Sequence, residues 1–102
     1  MLLKNPKAAE KFDDLIEVLK KLRAPGGCDW DRAQTSTSLI PYLLEETYEV
    51  IEAIEEKNTE TLKEELGDLS LHIIFQAELA EEKGDFTIAD ALNGVSEKLI
   101  RR

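Results

Sequence analysis

The 102-residue chain has few cysteine, glycine, proline and aromatic residues, and these shortages limit the classes of protein to which it can belong. A single cysteine, Cys28, excludes an internal disulfide and is typical of a reducing compartment, so we expect a cytoplasmic protein. The 13 basic side chains are outnumbered by 22 acidic ones, and the resulting net charge of −9 argues against a nucleic-acid surface. Because no long apolar run occurs, we expect neither a membrane span nor a signal peptide.

Few helix-breaking residues and 34% charged residues together predict a mostly helical chain. Apolar stripes predict helices at about residues 6–23, 35–57, 59–83 and 87–100, with residues 28–34 as a connector. The second helix is expected to start between Thr35 and Ser38, and Thr59 is the expected cap of the third. On these two helices the predicted core positions are Leu39, Leu43, Val50, Ile51, Ile54, Leu62, Leu66, Leu69, Ile73 and Ala80.

The short connections predict one all-α domain over residues 1–102, folded as an antiparallel four-helix bundle. A bundle of this length has a thin core, because few residues can be fully enclosed. We therefore expect the domain to be oligomeric.

Asp68 points most directly to function. On a helical wheel it falls within about 20° of Phe75 and Leu79, on the apolar face of its helix. An isolated carboxylate is costly to bury unless a cation, a raised pKa or a bound metal compensates. The preceding helix offers further acid, and there Glu46 borders the apolar stripe while Glu45 lies about 100° away.

Two pairs of carboxylates share a three-residue spacing, Glu46 with Glu49 and Glu65 with Asp68. Two antiparallel helices carrying such pairs can surround a hard divalent cation such as Mg²⁺. The alternative is a solvated acidic face, since glutamate is a strong helix former. The His72 side chain has three possible roles: it is a metal ligand, a group that supports the metal ligands, or a core histidine with a satisfied hydrogen bond. A ferritin-like di-iron site is disfavoured because no glutamate lies three residues before His72.

Three motifs lie between Phe12 and Leu79: CDWDRAQT at residues 28–35, PYLLEETYEV at 41–50 and EELGDL at 64–69. Together they resemble the MazG family, which hydrolyses nucleoside triphosphates to monophosphate and pyrophosphate. The resemblance implies an all-α dimer or larger assembly that binds Mg²⁺, with Mn²⁺ as the alternative ion. The implied ligands are Glu46, Glu49, Glu65 and Asp68, and Glu45 would support them or hold an extra metal.

The resemblance also implies that the connector lines the nucleotide pocket. The candidate nucleotide-binding residues are Trp30, Asp31, Arg32, Gln34 and Lys63. Trp30 is the candidate for stacking on the base, although a lone tryptophan in a connector can also be a lid over the core. The chain departs from the family at Asp29, Ala33 and Ser36, which bears on base recognition and leaves the acidic motif intact.

The predicted function is thus Mg²⁺-dependent pyrophosphohydrolysis of a nucleoside triphosphate by a homodimer or larger assembly. The expected partners are the substrate and further copies of the chain, with no nucleic acid and no membrane. The main alternative is a catalytically idle helical dimer that binds a nucleotide, a metal or another protein.

Overall fold

The computed structural model describes residues 2–102, and all regular structure in that range is helical. The helices are α1 (Pro6–Arg23), α2 (Asp29–Ala33), α3 (Ile40–Glu55), α4 (Thr59–Glu82) and α5 (Ile88–Arg101). The prediction of an all-α chain is confirmed. The packing divides the chain into two compact units, one ending at Gln34 and the other beginning at Thr35. The single four-helix bundle therefore stays a prediction.

The first unit contains α1 and α2. Pro6 begins α1, where its missing N–H costs no hydrogen bond. Arg23 ends the helix as predicted, because Ala24 is extended before Pro25. Residues 28–34 were predicted to be a connector without a helix. This prediction was wrong, because Asp29–Ala33 form the short helix α2. Five residues are too few for hydrophobic periodicity to reveal a helix.

The second unit is built on the α3–α4 hairpin. Lys57 adopts a left-handed conformation, with φ of 57°, and its N–H donates to the Ile54 carbonyl at 3.1 Å. The next N–H, of Asn58, reaches back to the Ala53 carbonyl at 3.1 Å, which closes the end of α3. The Asn58 side chain then accepts from the Thr61 N–H at 3.1 Å and caps α4. The sequence predicted Thr59 as the N-cap of α4, but the cap is Asn58.

The other ends of the second unit also have local causes. α3 begins at Ile40, later than predicted, because Thr35 and Ser38 exchange hydrogen bonds that hold the preceding residues in a turn. At the end of α4, Gly84 has a φ of 77°, a conformation that glycine adopts readily. α5 starts with a capping box in which Thr87 and Asp90 bond each other's backbone N–H groups.

Burial in the hairpin is uneven along its length. The buried residues of α3 and α4 are Val50, Ala53, Ile74, Phe75, Ala77, Glu78 and Leu79. Several predicted core positions are exposed instead, namely Ile51, Ile54, Leu66 and Ile73. A helical wheel identifies an apolar face but does not show which turns of that face another element covers. No helix in the described part of the chain is long and apolar enough to cross a membrane.

Candidate metal and nucleotide site

Three glutamates from two helices meet in the α3–α4 hairpin. Glu46 and Glu49 lie on the same face of α3, and Glu65 lies on the facing side of α4. Each offers one carboxylate oxygen, and these oxygens lie within 4.8 Å of one another. All three side chains are half-buried. The three-residue spacing on α3 puts both of its carboxylates on the side that α4 approaches.

Two oxygens of this three-glutamate cluster lack a partner. Oε2 of Glu46 and Oε2 of Glu65 are both buried, and neither has a hydrogen-bond partner among the described residues. A buried acceptor without a partner carries a desolvation penalty of about 1–3 kcal/mol, and more if it is charged. A hard divalent cation relieves that penalty, because carboxylate oxygens are the ligands it prefers. The donor set therefore fits Mg²⁺.

The electrostatics of the cluster agree with this fit. Burial, together with the charges of Glu49 and Asp68, raises the pKa of Glu46 above its usual value. The pKa of Glu49 is raised by its hydrogen bond with Glu65, by burial and by the charges of Glu65 and Glu45. For Glu65, the hydrogen bond with Glu49 lowers the pKa, but the bond with Glu46, burial and neighbouring charge outweigh it. Like charges held this close favour protonation until a cation neutralises them.

Asp68 and Glu45 lie outside the three-glutamate cluster. Asp68 is exposed, so the expectation that it points into a buried apolar face was wrong. Phe75 and Leu79 share its face of the wheel, but the buried part of α4 runs from Ile74 to Leu79 and ends before reaching it. Asp68 is still close enough for its charge to raise the pKa of Glu46 and of Glu65. Glu45 is exposed, as its wheel position predicts.

Two contacts between α3, its leading turn and α4 were not predicted. The Tyr42 and His72 rings stack with centroids 6.5 Å apart and planes 7° from parallel, and His72 Nδ1 is buried without a hydrogen-bond partner among the described residues. Ser36 donates to the Gln76 side chain, whose Nε2 donates to the Ser36 carbonyl at 3.1 Å. No sequence spacing signals these pairs, because their partners lie 30 and 40 residues apart.

The predicted nucleotide-binding residues are divided between the two units. Trp30, Asp31, Arg32 and Gln34 belong to α2 and its C-cap in the first unit. Trp30 is 47% exposed, so it does not plug a core. Lys63 belongs to the second unit, where its Nζ pairs with Glu60 at 3.0 Å in the first turns of α4. Each group is therefore assigned to a helix of its own unit.

Comparison with known proteins identifies the family. The family model described as the MazG nucleotide pyrophosphohydrolase domain matches residues 34–102. The chain belongs to the MazG family. The matched region contains the whole α3–α4 hairpin and all five acidic residues of the predicted site. The resemblance seen in the sequence motifs is thereby confirmed.

Individual relatives of this MazG domain are longer proteins. It is 56% identical over 91 residues to the nucleoside triphosphate pyrophosphohydrolase/pyrophosphatase MazG of Thermotoga maritima, covering 89% of the chain and 36% of that protein. The nucleoside triphosphate pyrophosphohydrolase of Escherichia coli K12 is 43% identical over 93 residues, or 90% of the chain and 35% of the relative. The corresponding Mycobacterium tuberculosis protein is 41% identical over 95 residues, or 91% of the chain and 29% of the relative. The chain spans 29 to 36% of the length of these curated relatives.

The raised pKa values predict how the stability of this MazG domain depends on pH. Between the usual glutamate value of 4.5 and the raised values, the folded protein binds more protons than the unfolded chain. The cluster's contribution to the free energy of unfolding therefore falls as pH rises through that window. Mg²⁺ is expected to raise the melting temperature, and to do so more at about pH 8 than at about pH 5, because protons compete for the same oxygens.

This prediction is checked by melting the metal-free and Mg²⁺-loaded protein across that pH range. Glu65→Gln should flatten the pH dependence and reduce the Mg²⁺ effect. The matched control is Glu55→Gln, an exposed glutamate of α3 outside the cluster. A Mg²⁺ effect that is the same for the wild type, Glu65→Gln and Glu55→Gln would contradict it.

Proposed function

We propose that this MazG domain is a Mg²⁺-dependent pyrophosphohydrolase that cleaves a nucleoside triphosphate into a monophosphate and pyrophosphate. The observation that carries the proposal is the three-glutamate cluster, in which two buried carboxylate oxygens lack a hydrogen-bond partner among the described residues. The names of the T. maritima and E. coli relatives, which are nucleoside triphosphate pyrophosphohydrolases, support the same reaction.

In this proposal Glu46, Glu49 and Glu65 hold the ion together with Asp68, and Mn²⁺ is the alternative to Mg²⁺. Bound Mg²⁺ supplies positive charge that neutralises the triphosphate oxygens as the bond between the α and β phosphates breaks. The carboxylates fix that charge in place, so little reorganisation is needed in the transition state.

Recognition of the nucleotide is proposed for α2 and its C-cap. The half-exposed Trp30 indole offers a face for stacking on the base, with Asp31 and Gln34 as polar readers of its edge. Arg32 is the proposed phosphate partner there. Lys63 is proposed as a second one, and it would have to exchange its ion pair with Glu60 for that role.

Truncation of Trp30 separates this role from a purely structural one. Stacking on an aromatic ring contributes about 1–3 kcal/mol per base in single-strand binders. We expect Trp30→Ala to raise KM with little change in melting temperature, because the indole is half-exposed. Added nucleotide should also quench the fluorescence of the wild-type indole. A large fall in melting temperature without any nucleotide-dependent quenching would instead assign Trp30 a purely structural role.

The activity is tested by measuring pyrophosphate release from each ribo- and deoxyribonucleoside triphosphate, with Mg²⁺ and with chelator. We expect turnover of at least one triphosphate that stops when the metal is removed. The catalytically idle alternative predicts a Mg²⁺-induced rise in melting temperature but no pyrophosphate from any substrate. That result would overturn the proposed activity and leave a binding function.

Oligomerisation is proposed from the apolar surface of the second unit. Its exposed large apolar side chains on the α3–α4 hairpin include Leu44, Tyr48, Ile51, Ile54, Leu66 and Ile73, and those on α5 include Leu92, Val95 and Leu99. Apolar surface of this extent on a small domain marks an interaction face. A homodimer or larger assembly would cover it. The cytoplasmic location stays a prediction from the single cysteine.

We predict at least a dimer in dilute solution, with a melting temperature that rises with protein concentration. Light scattering and concentration-dependent melting check this directly. Ile51→Lys should shift the assembly toward monomer, because it puts a charge on the exposed face of α3 without opening a buried core. A wild-type monomer at all micromolar concentrations would contradict the prediction.

A further inference from the structure

The corner between α1 and α2 is closely packed. The Gly27 N–H donates to the Ala24 carbonyl, and the Cys28 N–H donates to the Leu22 carbonyl, both at 2.8 Å. A Cβ added to Gly27 would lie 2.5 Å from the Lys21 carbonyl oxygen and would also collide with the Leu22 carbonyl. Glycine is therefore required here for close approach of the backbone to the end of α1. This contact fixes where α2 begins.

The far end of α2 is held by a side chain from α1. Arg23 Nη1 donates a hydrogen bond to the backbone carbonyl of Asp31, eight residues later. Gln34 Nε2 donates to the adjacent carbonyl, that of Trp30, at 2.9 Å. Within its own helix end the Asp31 carbonyl accepts only a long bond from the Gln34 N–H, at 3.4 Å, and a helix of five residues is not stable alone. The two bonds therefore hold the backbone carbonyls on both sides of the Asp31 Cα, next to Trp30.

We propose that Arg23 is a positioning residue that holds α2, and with it the Trp30 indole, in the orientation used to stack on the nucleotide base. The inference rests on the proposed function, in which Trp30 is the stacking platform. A platform that is already ordered loses less conformational freedom on binding, so the bond from Arg23 improves affinity without touching the substrate. The reacting phosphates are assigned to the ion that the hairpin carboxylates would hold, with Arg32 as their one partner on α2, so Arg23 should affect KM more than kcat.

Arg23 could instead serve only the stability of the first unit, and the two roles differ in what they do to the indole. A purely structural role lowers the melting temperature but leaves Trp30 equally ordered in the protein that remains folded. A positioning role increases indole mobility in the folded protein well below its melting temperature. Trp30 is the chain's only tryptophan, so intrinsic fluorescence reports on this side chain alone.

The experiment compares the full-length wild type with Arg23→Gln and Arg23→Lys. The matched control is Lys7→Gln, which removes one positive charge from an exposed position in the first turn of α1. Fluorescence anisotropy and acrylamide quenching of Trp30 are measured without nucleotide, and KM and kcat are measured with the triphosphate that the wild type hydrolyses fastest. We expect Arg23→Gln to lower the anisotropy and to increase quenching. It should raise KM about tenfold, equivalent to about 1.4 kcal/mol, with kcat largely kept.

Arg23→Lys should fall between the wild type and Arg23→Gln, because lysine keeps the charge and can still donate to the Asp31 carbonyl. If Arg23→Gln does not fold, Arg23→Lys supplies the same comparison. Unchanged anisotropy and quenching in the folded variants would overturn the proposal, and so would a more mobile indole with an unchanged KM. Failure of the proposed function is separately visible, because Trp30→Ala would then leave KM unchanged or the wild type would release no pyrophosphate.

Discussion

Glu46→Gln is expected to lower the rate of pyrophosphate release by at least about 10²-fold, as does loss of one preorganised electrostatic group in other enzymes. Glu46 is central to the three-glutamate cluster. It is half-buried, its Oε2 has no partner among the described residues, and the charges of both Glu49 and Asp68 act on it. Glutamine keeps the shape of the side chain but removes the negative charge. The loss should therefore appear in kcat, with the fold intact.

Glu45→Gln is the matched control for this prediction. Glu45 is the adjacent residue on α3, carries the same side chain and is exposed, outside the cluster. Its charge contributes to the raised pKa of Glu49, so we expect a clearly smaller loss and not complete indifference. Equal losses in the two variants, measured at saturating Mg²⁺ and substrate, would show that Glu46 has no special position in the site.

Local signals in the sequence were sufficient for most helix boundaries. α1 has its predicted ends because Pro6 and the Ala24–Pro25 step act on the backbone directly. α4 was predicted within a residue or two at each end, since Asn58 and Gly84 are strong end signals. The wheel also distinguished half-buried Glu46 from exposed Glu45, because position around a helix depends only on residue number.

Features that depend on distant parts of the chain were not predictable in the same way. The burial expected for Asp68 required the apolar face of α4 to be covered along its whole length, but the fully buried residues of α4 begin only at Ile74. Ile51 and Ile73 were assigned to the core for the same reason and are exposed. The helix α2 is held by Arg23 through a hydrogen bond to a backbone carbonyl, an interaction that leaves no periodic signal in the sequence.

The candidate metal site depends both on local sequence signals and on a contact between two helices. The three-residue spacing of Glu46 and Glu49 predicts that they share a face of α3, and the short turn around Lys57 makes α4 return beside that face. The meeting of Glu65 with both of them then follows from an antiparallel hairpin.

Asp68→Asn is expected to abolish hydrolysis while leaving the helical fold and the metal-free melting temperature almost unchanged. Asp68 is exposed, so the nearly isosteric amide should disturb no packing. Its charge nevertheless reaches Glu46 and Glu65, whose pKa values it raises, and the family resemblance assigns it to the ligand set. Removing that charge weakens the site for a divalent cation, so the Mg²⁺-induced rise in melting temperature should shrink with the activity.

Glu64→Gln is the control for Asp68→Asn, because Glu64 is an exposed carboxylate one turn earlier on α4 and outside the cluster. It should keep both the Mg²⁺ effect and turnover. The two readouts for Asp68→Asn separate a role in metal binding from a role beside the substrate. Loss of activity together with loss of the Mg²⁺ effect assigns Asp68 to metal binding, whereas lost activity with an intact Mg²⁺ effect places it next to the substrate. Full Mg²⁺-dependent turnover would remove Asp68 from the site and leave the three glutamates as its protein ligands.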